Sequence, residues 1–378
     1  MRAVAVLAVM TDHTYVFSGG YLGVDVFFVL SGFLITSLLL EEWDRRGGQI
    51  SFRDFYTRRA LRILPALGVV VIAAVIFESL IAGYDGGQGG PYATATLDAV
   101  PAVMLFAGNW VRALDPSAVL GSLGALGHTW SLAVEEQFYL LWPATFALLM
   151  RRHLSRERLA ILFCLLAVAE MVYRFTFAHL GTESQALQNR IYFGTDTHSD
   201  GLLIGCALAF WLASGATNRS RVLLGTLARR AAWPAAVVLL LLFIGGNFTD
   251  AAIDIPVAVL ATTSLVAAVA LGELPAALRR FLTSQFAIRI GRRSYGLYLW
   301  QYVLIAAAET LCAPYTGFFP VPAGLPRLVF ATALSAAVAA SFLAAELSYR
   351  FIELPALRLK RRFRAEPAPV MAGSLPTA

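Results

Sequence analysis

The sequence predicts an all-α polytopic membrane protein, and three observations carry this prediction. Hydrophobic residues make up 58% of the 378 residues, charged residues only 14%, and the mean hydropathy is +0.68. Apolar runs long enough for membrane helices recur along the whole chain. Clusters of arginine separate alternate runs, as the positive-inside rule requires of a multi-pass protein. We expect one transmembrane domain over residues 1–355, followed by a basic and then disordered cytosolic tail over 356–378.

The apolar runs predict about ten transmembrane helices. In chain order they cover residues 3–17, 22–41, 64–83, 132–150, 159–179, 199–215, 231–247, 252–272, 294–312 and 327–345. The basic clusters between alternate helices are Arg45–Arg62, Arg151–Arg158, Arg219–Arg230, Arg279–Arg293 and Arg358–Arg364. The other loops contain a single basic residue, Arg190, so both termini are predicted to be cytosolic. This placement of the net charge of +6 also argues against nucleic-acid binding.

One apolar run, residues 97–112, does not fit the count of crossings. It is short and contains Pro101 and Asn109. If it crossed, the strong cluster Arg151–Arg158 would face outward, against the positive-inside rule. We therefore expect a re-entrant or interfacial segment, whose irregular backbone must be buried in protein or line a wet cavity.

The first helix carries the most informative pair of residues, Arg2 and His13. Eleven residues correspond to about three helical turns, so both side chains share one face, roughly 16 Å apart along the axis. Ionisable groups inside membrane helices usually mark a pathway or a reaction site. Residues 3–17 span only about 22 Å, less than the roughly 30 Å hydrocarbon core. Either the helix is recessed or the true start lies upstream of Met1.

His13 is the candidate catalytic base. An imidazole titrates near neutral pH and, when neutral, is tolerated in a membrane interior. It could therefore take a proton from a reacting hydroxyl. The alternative is a structural histidine that bonds across helices to Asp12 or Ser31.

Four arginines are candidates for binding an anionic cofactor. Arg58 and Arg62 are i, i+4 neighbours, Arg59 and Arg62 are i, i+3 neighbours, and Arg2 begins the first helix. Guanidinium groups suit phosphates because they can donate two parallel hydrogen bonds. The alternatives are anchoring to anionic lipid for the cluster and a purely topological role for Arg2.

Several acidic residues and one tyrosine are candidates near the acceptor. Glu135, Glu136 and Tyr139 lie at the outer end of a predicted helix, where carboxylates could hold sugar hydroxyls or orient His13. The alternative there is interfacial capping within an aromatic belt. Two further candidates, Asp196 and Asp200, lie in a polar extracytoplasmic loop.

Asp25 is a further candidate for substrate binding. Because it lies in an unusually apolar helix and needs a partner, packing is its alternative role. A metal site is not expected, because the three cysteines are scattered and Asp196, His198 and Asp200 have no nearby second histidine or cysteine.

Six motifs in order resemble the bacterial membrane-bound acyltransferase 3 family, whose members O-acylate cell-surface sugars and natural products. They are Arg2-X10-His13, Gly23–Thr36 (GVDVFFVLSGFLIT), Phe55–Pro65 (FYTRRALRILP), His128–Tyr139 (HTWSLAVEEQFY), Gly194–Gly205 (GTDTHSDGLLIG) and Ser294–Trp300 (SYGLYLW). The resemblance covers nearly the whole chain. It departs at Gln301, where relatives often have histidine. Glutamine cannot shuttle a proton, so no second catalytic base is expected there.

The resemblance implies transfer of an acyl group, most often acetyl, from cytosolic acyl-CoA to a hydroxyl of a sugar, glycolipid or glycosylated natural product. It also implies a bacterial cytoplasmic (inner) membrane location. Arg2, Arg58, Arg59 and Arg62 would bind the acyl-CoA, and His13 would act as base or carry the acyl group. Glu135 and Glu136 would position the acceptor or tune His13. Some relatives carry an extra extracytoplasmic domain, for which this sequence is expected to leave no room. Transfer is therefore expected to finish in the membrane domain or on a separate partner.

Two alternatives stay open at the level of sequence. A transporter or flippase could also use ten helices, a broken segment and the buried residues Asp25 and His13, although no internal repeat is visible. An acyl-relay subunit could pass acyl groups to a separate transferase. A carrier would move substrate without CoA, whereas a transferase would release the free CoA thiol.

Overall fold

A computed structural model describes residues 1–81, 90–114, 123–180, 184–215, 218–246, 250–316 and 324–360. Residues 361–378, where most of the predicted tail lies, are outside this description. The described helices are α1 (Arg2–His13), α2 (Gly23–Arg45), α3 (Phe52–Ile81), α4 (Gly90–Met104), α5 (Gly108–Leu114), α6 (Trp130–Arg151), α7 (Arg156–Leu180), α8 (Gln185–Phe193), α9 (Asp200–Leu212), α10 (Asn218–Gly245), α11 (Ala251–Ala270), α12 (Ala276–Leu282), α13 (Gln285–Thr316), α14 (Leu325–Ser348) and α15 (Leu354–Lys360). Short 3₁₀ helices cover Gly20–Leu22 and Gly124–Thr129.

The all-α polytopic prediction is confirmed, because the described chain is helical throughout and each predicted span overlaps one helix. Six helical segments in the described ranges are long and apolar enough to cross a membrane: Gly20–Arg45, Phe52–Ile81, Arg156–His179, Ser220–Gly245, Ala251–Ala270 and Pro326–Leu359. The predicted boundaries are less accurate. Helix α1 ends at His13, before its predicted end. Helix α3 begins at Phe52, and its first turns are rich in arginine and precede its apolar part. Charged residues do not interrupt a helix, so hydropathy alone places the start of α3 too late.

The segment predicted to be re-entrant or interfacial forms two short helices, α4 and α5. The break between them includes Phe106, which has a positive φ of 54°. The Gln137 amide donates to the Phe106 carbonyl at 2.7 Å and to the Asn109 side-chain oxygen at 2.8 Å. Asn109 in turn donates to the Phe193 carbonyl at 3.1 Å. These bonds satisfy backbone groups that lipid could not, which explains how the chain breaks inside the bundle.

Close packing of α2 on α9 forms part of the surface against which α1 lies. Helix α2 packs against α9 at Gly32 and Gly205, where a Cβ atom would meet a backbone carbonyl at 2.0 Å and 2.4 Å respectively. Helix α1 packs between α2 and α13, while α13 also packs against α14. Both Arg2 and His13 are thereby held against α13, one at each end of a 12-residue helix.

Candidate active site

A groove at the N-terminal end of α1 concentrates positive charge. This arginine groove has a volume of about 670 Å³. Its charged lining residues are Arg2, Arg45, Arg58, Arg59, Arg62, Glu41 and Glu42. Five guanidinium groups against two carboxylates make it suitable for an anion with several charges.

The arginines of the groove differ in how they are paired. Arg58 forms an ion pair with Glu42 at 3.5 Å. Arg59 pairs with Glu136 at 3.3 Å, and its guanidinium lies 3.3 Å above the centre of the Tyr139 ring. Within the described ranges Arg2 and Arg62 have no ion pair, so their charges are available to a ligand.

A smaller inner pocket of about 70 Å³ continues from the groove. Arg2, Ser31, Arg59, Arg62 and Tyr139 line both spaces. Glu135 also lines the inner pocket and accepts a hydrogen bond from Ser31. Both predicted acids of α6 therefore lie beside the arginines.

One face of α13 continues the path beyond the inner pocket. Tyr298 lines that pocket and donates from its hydroxyl to the His128 carbonyl at 2.7 Å. Because this hydroxyl has one proton, Ser131 is the donor in the 2.6 Å bond between Ser131 and Tyr298. The next turn of α13 carries Gln301 and Tyr302, and the Tyr302 ring lies against His13.

The Tyr302 ring contacts two imidazoles, those of His13 and His128. The ring centroid of His13 lies 4.8 Å from that of Tyr302, edge to face, and the centroid of His128 lies 4.9 Å away, stacked. We call His13, His128, Gln301 and Tyr302 the imidazole chamber. Five atoms of the chamber are buried and have no hydrogen bond of normal geometry to another described residue: Nδ1 of His13, both ring nitrogens of His128 and both amide atoms of Gln301. Buried polar atoms normally have partners, so an unoccupied set of this size indicates a ligand site.

Polar side chains also lie on the side of the chamber away from the groove. Tyr92 donates a hydrogen bond to the Tyr302 hydroxyl. Tyr15, which ends the first helical region with a positive φ of 58°, donates to Glu309. One carboxylate oxygen each of Glu309 and Glu78 is buried and unpartnered. Strained backbone beside a reactive group is common at functional sites.

Two of the predicted acceptor-binding residues, Asp25 and Asp200, lie in a separate buried ion-pair cluster. The His198 ring donates from Nδ1 to the Tyr192 carbonyl at 2.6 Å and contacts Asp25 through Nε2 at 2.9 Å. Arg174 contacts both oxygens of Asp200, at 3.0 Å and 2.7 Å. Both aspartates are fully buried, and these contacts favour the packing role that the sequence left open for Asp25.

The remaining predicted residue, Asp196, lies at the surface. Its side chain is 52% exposed and pairs with Arg190 at 2.6 Å. Its role in acceptor binding stays a prediction, as do those of Asp25, Tyr139 and Asp200. Among the described residues no group of three or more histidine, cysteine or acidic side chains could hold a metal ion.

Sequence reasoning missed His128, Tyr298 and Tyr302. The available signal was the spacing of polar residues along the apolar helix α13, where Ser294, Tyr298 and Tyr302 recur every four residues and Gln301 follows Tyr298 by three. His128 lacks this periodicity, and although it opens one of the six motifs it was given no role there. It lies in the 3₁₀ helix before α6 and reaches the chamber only through tertiary packing.

The fold and the site define a multi-pass membrane protein in which a cationic groove leads to a buried imidazole. The family model described as an acyltransferase domain of the acyltransferase 3 type matches residues 1–346. The chain belongs to the acyltransferase 3 family.

Named relatives are similar along most of the chain. The peptidoglycan O-acetyltransferase OatA of Listeria monocytogenes is 33% identical over 94% of this chain and 54% of its own length. A putative O-acetyltransferase of Staphylococcus aureus is 31% identical, over 94% of this chain and 56% of its own length. A putative peptidoglycan O-acetyltransferase of Bacillus subtilis, YrhL, is 32% identical, over 94% and 54% respectively. The chain thus spans about half the length of these relatives, and no solved structure matches it.

Proposed function

We propose that the protein is a membrane O-acyltransferase that moves an acyl group, most simply acetyl, from acyl-CoA to a hydroxyl of a sugar, glycolipid or glycosylated natural product. The observation that carries the proposal is the arginine groove, which continues into the inner pocket, together with the face of α13 that runs from Tyr298 in that pocket to Tyr302 beside His13. The names of the relatives support O-acetylation, and the name of OatA supports a peptidoglycan-type sugar as one acceptor. The family match favours this function over a carrier.

The arginine groove is the proposed donor site. Arg2 and Arg62 carry unpaired charges, and Arg58 and Arg59 add guanidinium groups that suit the diphosphate and 3′-phosphate of CoA. From there the pantetheine arm would extend through the inner pocket past Tyr298. The distance from Arg2 to His13 along α1, roughly 16 Å, fits an extended arm of this kind.

The donor site also supports an orientation in the membrane. CoA thioesters are made in the cytosol, so the arginine groove should face that side. The positive-inside rule supports the same orientation, with this end of the bundle and both termini on the cytosolic side of a bacterial inner membrane.

His13 is the proposed base. Its imidazole would take the proton of the acceptor hydroxyl as the oxygen attacks the thioester carbonyl. The tetrahedral intermediate would then collapse by breaking the carbon–sulfur bond, and the departing CoA sulfur would take up the proton from His13. The products are the acylated acceptor and free CoA thiol. Brief acylation of His13 is the alternative route.

The acceptor would approach from the side opposite the groove. Tyr15, Glu309, Glu78 and Tyr92 lie there, and carboxylates and phenols are suitable hydrogen-bond partners for sugar hydroxyls. Under this proposal Glu135 and Glu136, which lie among the arginines, tune the donor side. Two substrates would thus reach His13 from opposite directions.

The test is thiol release from acetyl-CoA by the purified protein in vesicles, with muropeptide or other sugar acceptors present. We expect His13→Ala to lower acyl transfer by about 10²- to 10⁴-fold, because a general base contributes that much. CoA binding should be retained. His179→Ala is the matched control, since His179 is an exposed histidine outside the site.

Three outcomes separate the candidate functions. Thiol release with an acylated acceptor, lost in His13→Ala, supports the transferase. Uptake of a sugar without CoA would favour a carrier. Retention of the acyl group without transfer to any acceptor would favour a relay subunit.

A further inference from the structure

We propose that His128 and Gln301 form an oxyanion site, which receives the thioester carbonyl oxygen beside His13. This inference rests on the proposed function. It assigns a role to two side chains that the base and donor-site assignments do not use.

The first argument is burial without partners. Gln301 is fully buried and His128 is 2% exposed, yet within the described residues no hydrogen bond of normal geometry reaches either amide atom or either ring nitrogen. Gln301 lies close to the His13 ring, and His128 lies close to the Leu299 backbone.

Elsewhere in the described chain, a side-chain amide at similar depth is hydrogen-bonded. The buried Asn109 has bonds from its amide to Phe193 and Thr195, at 3.1 Å and 2.9 Å. Single unpartnered atoms occur elsewhere in the described chain, for example Oγ1 of Thr262 and Nε of Arg174, but the chamber brings five such atoms together on three side chains. A group of this kind points to a polar group that arrives with the substrate.

The second argument is chemical type. The Gln301 amide offers two N–H donors, and a neutral imidazole such as His128 offers one. Neither group would repel an oxyanion by charge, and His128 lies against the aromatic rings of Tyr298 and Tyr302. Donors fixed in such surroundings stabilise developing negative charge strongly, because they need no reorganisation during the reaction.

A third argument is the guanidinium of Arg112. It acts electrostatically on both His13 and His128, so it lies near the chamber. Its position is fixed by a 2.9 Å bond to the Gly127 carbonyl and by the Phe193 ring, whose centre is 4.0 Å away. A fixed positive charge near the chamber would add to the stabilisation of an oxyanion.

The roles then divide between the two kinds of side chain. As the acceptor oxygen bonds to the thioester carbon, the carbonyl π electrons move to oxygen, and Gln301 and His128 donate hydrogen bonds to it. The proton of the acceptor goes to His13. Glutamine cannot compete for that proton, which fits a donor at position 301 and a base at position 13.

The test compares Gln301→Leu and His128→Phe with wild type for kcat, Kd of CoA and thermal stability. Both variants preserve approximate shape while removing the donors. Loss of one oxyanion donor lowers kcat by about 10²- to 10³-fold. We expect that loss with an unchanged Kd of CoA. We also expect an unchanged or higher melting temperature, because each variant removes polar atoms that have no partner in the free protein.

Gln301→His should retain more activity than Gln301→Leu, since a histidine restores an N–H donor. Gln137→Leu is the control for a half-buried glutamine with partners, and it should lower the melting temperature. A merely structural Gln301 would behave like Gln137.

Two results would overturn the inference. One is full kcat in both Gln301→Leu and His128→Phe, and the other is a lower melting temperature that accounts for all lost activity. Either result, obtained while wild type transfers acyl groups and His13→Ala does not, leaves the proposed function standing. A wild type that releases no more thiol than His13→Ala would instead remove the proposed function.

Discussion

The two buried polar clusters differ in how fully their atoms are paired. In the ion-pair cluster Arg174, Asp200, Glu170, His198 and Asp25 bond to one another or to backbone. Only Arg174 Nε and one Asp25 oxygen are left without a partner. In the imidazole chamber most polar atoms have none. Paired groups hold helices together, whereas unpaired groups cost stability and persist where a substrate completes them. Pairing therefore separates a structural cluster from a site better than burial does.

The largest effect on stability should come from Arg174→Leu. This change leaves the buried carboxylate of Asp200 without its guanidinium partner and removes a positive charge near Glu170. Removing one member of a buried ion pair costs about 3–5 kcal/mol. We expect a clearly lower melting temperature in detergent.

Arg190→Leu provides the control, because its pair with Asp196 is partly exposed. Such pairs are worth about 0–1 kcal/mol. Equal losses in Arg174→Leu and Arg190→Leu would contradict the structural role of the buried cluster.

The fold could be predicted almost completely from the sequence, because hydropathy and arginine placement are local signals. The ten spans and the broken segment at 97–112 followed from them. The chamber could not, because His128, Tyr302 and His13 come from three distant segments. The groove lies between these extremes. The spacing of Arg58, Arg59 and Arg62 predicted the groove, whereas the pairing of Arg59 with Glu136 could be seen only in the tertiary structure.

The Asp25→Asn variant tests the structural role of the ion-pair cluster by removing a charge from it. The variant keeps shape and a hydrogen-bond acceptor for His198 but loses the charge. Hydrogen bonds to charged groups contribute about 1.5–3 kcal/mol, so part of that stability should be lost. Thermal unfolding measures it. A raised acceptor KM with unchanged stability would instead support the substrate-binding role predicted from the sequence.

Arg62→Ala should weaken donor binding with little effect on stability, since Arg62 has no ion pair among the described residues. Loss of one charge-assisted bond to a phosphate corresponds to about a 10- to 100-fold rise in KM for acyl-CoA. Steady-state kinetics at varied acyl-CoA provide the measurement. Arg152→Ala, at an exposed arginine away from the groove, is the control. Equal effects at both positions would indicate general attraction to membrane or CoA and no defined donor site.

The smallest effect should come from Asp196→Asn. Its exposed pair with Arg190 is screened by water and salt, so stability should change by no more than about 1 kcal/mol. Activity with a small acceptor should stay near wild type, because Asp196 has none of the unpaired, buried character of the chamber. The acceptor KM measured with a long glycan is the sensitive reading. An increase there alone would place the glycan chain along this loop, and would show that an exposed, paired carboxylate can still bind substrate.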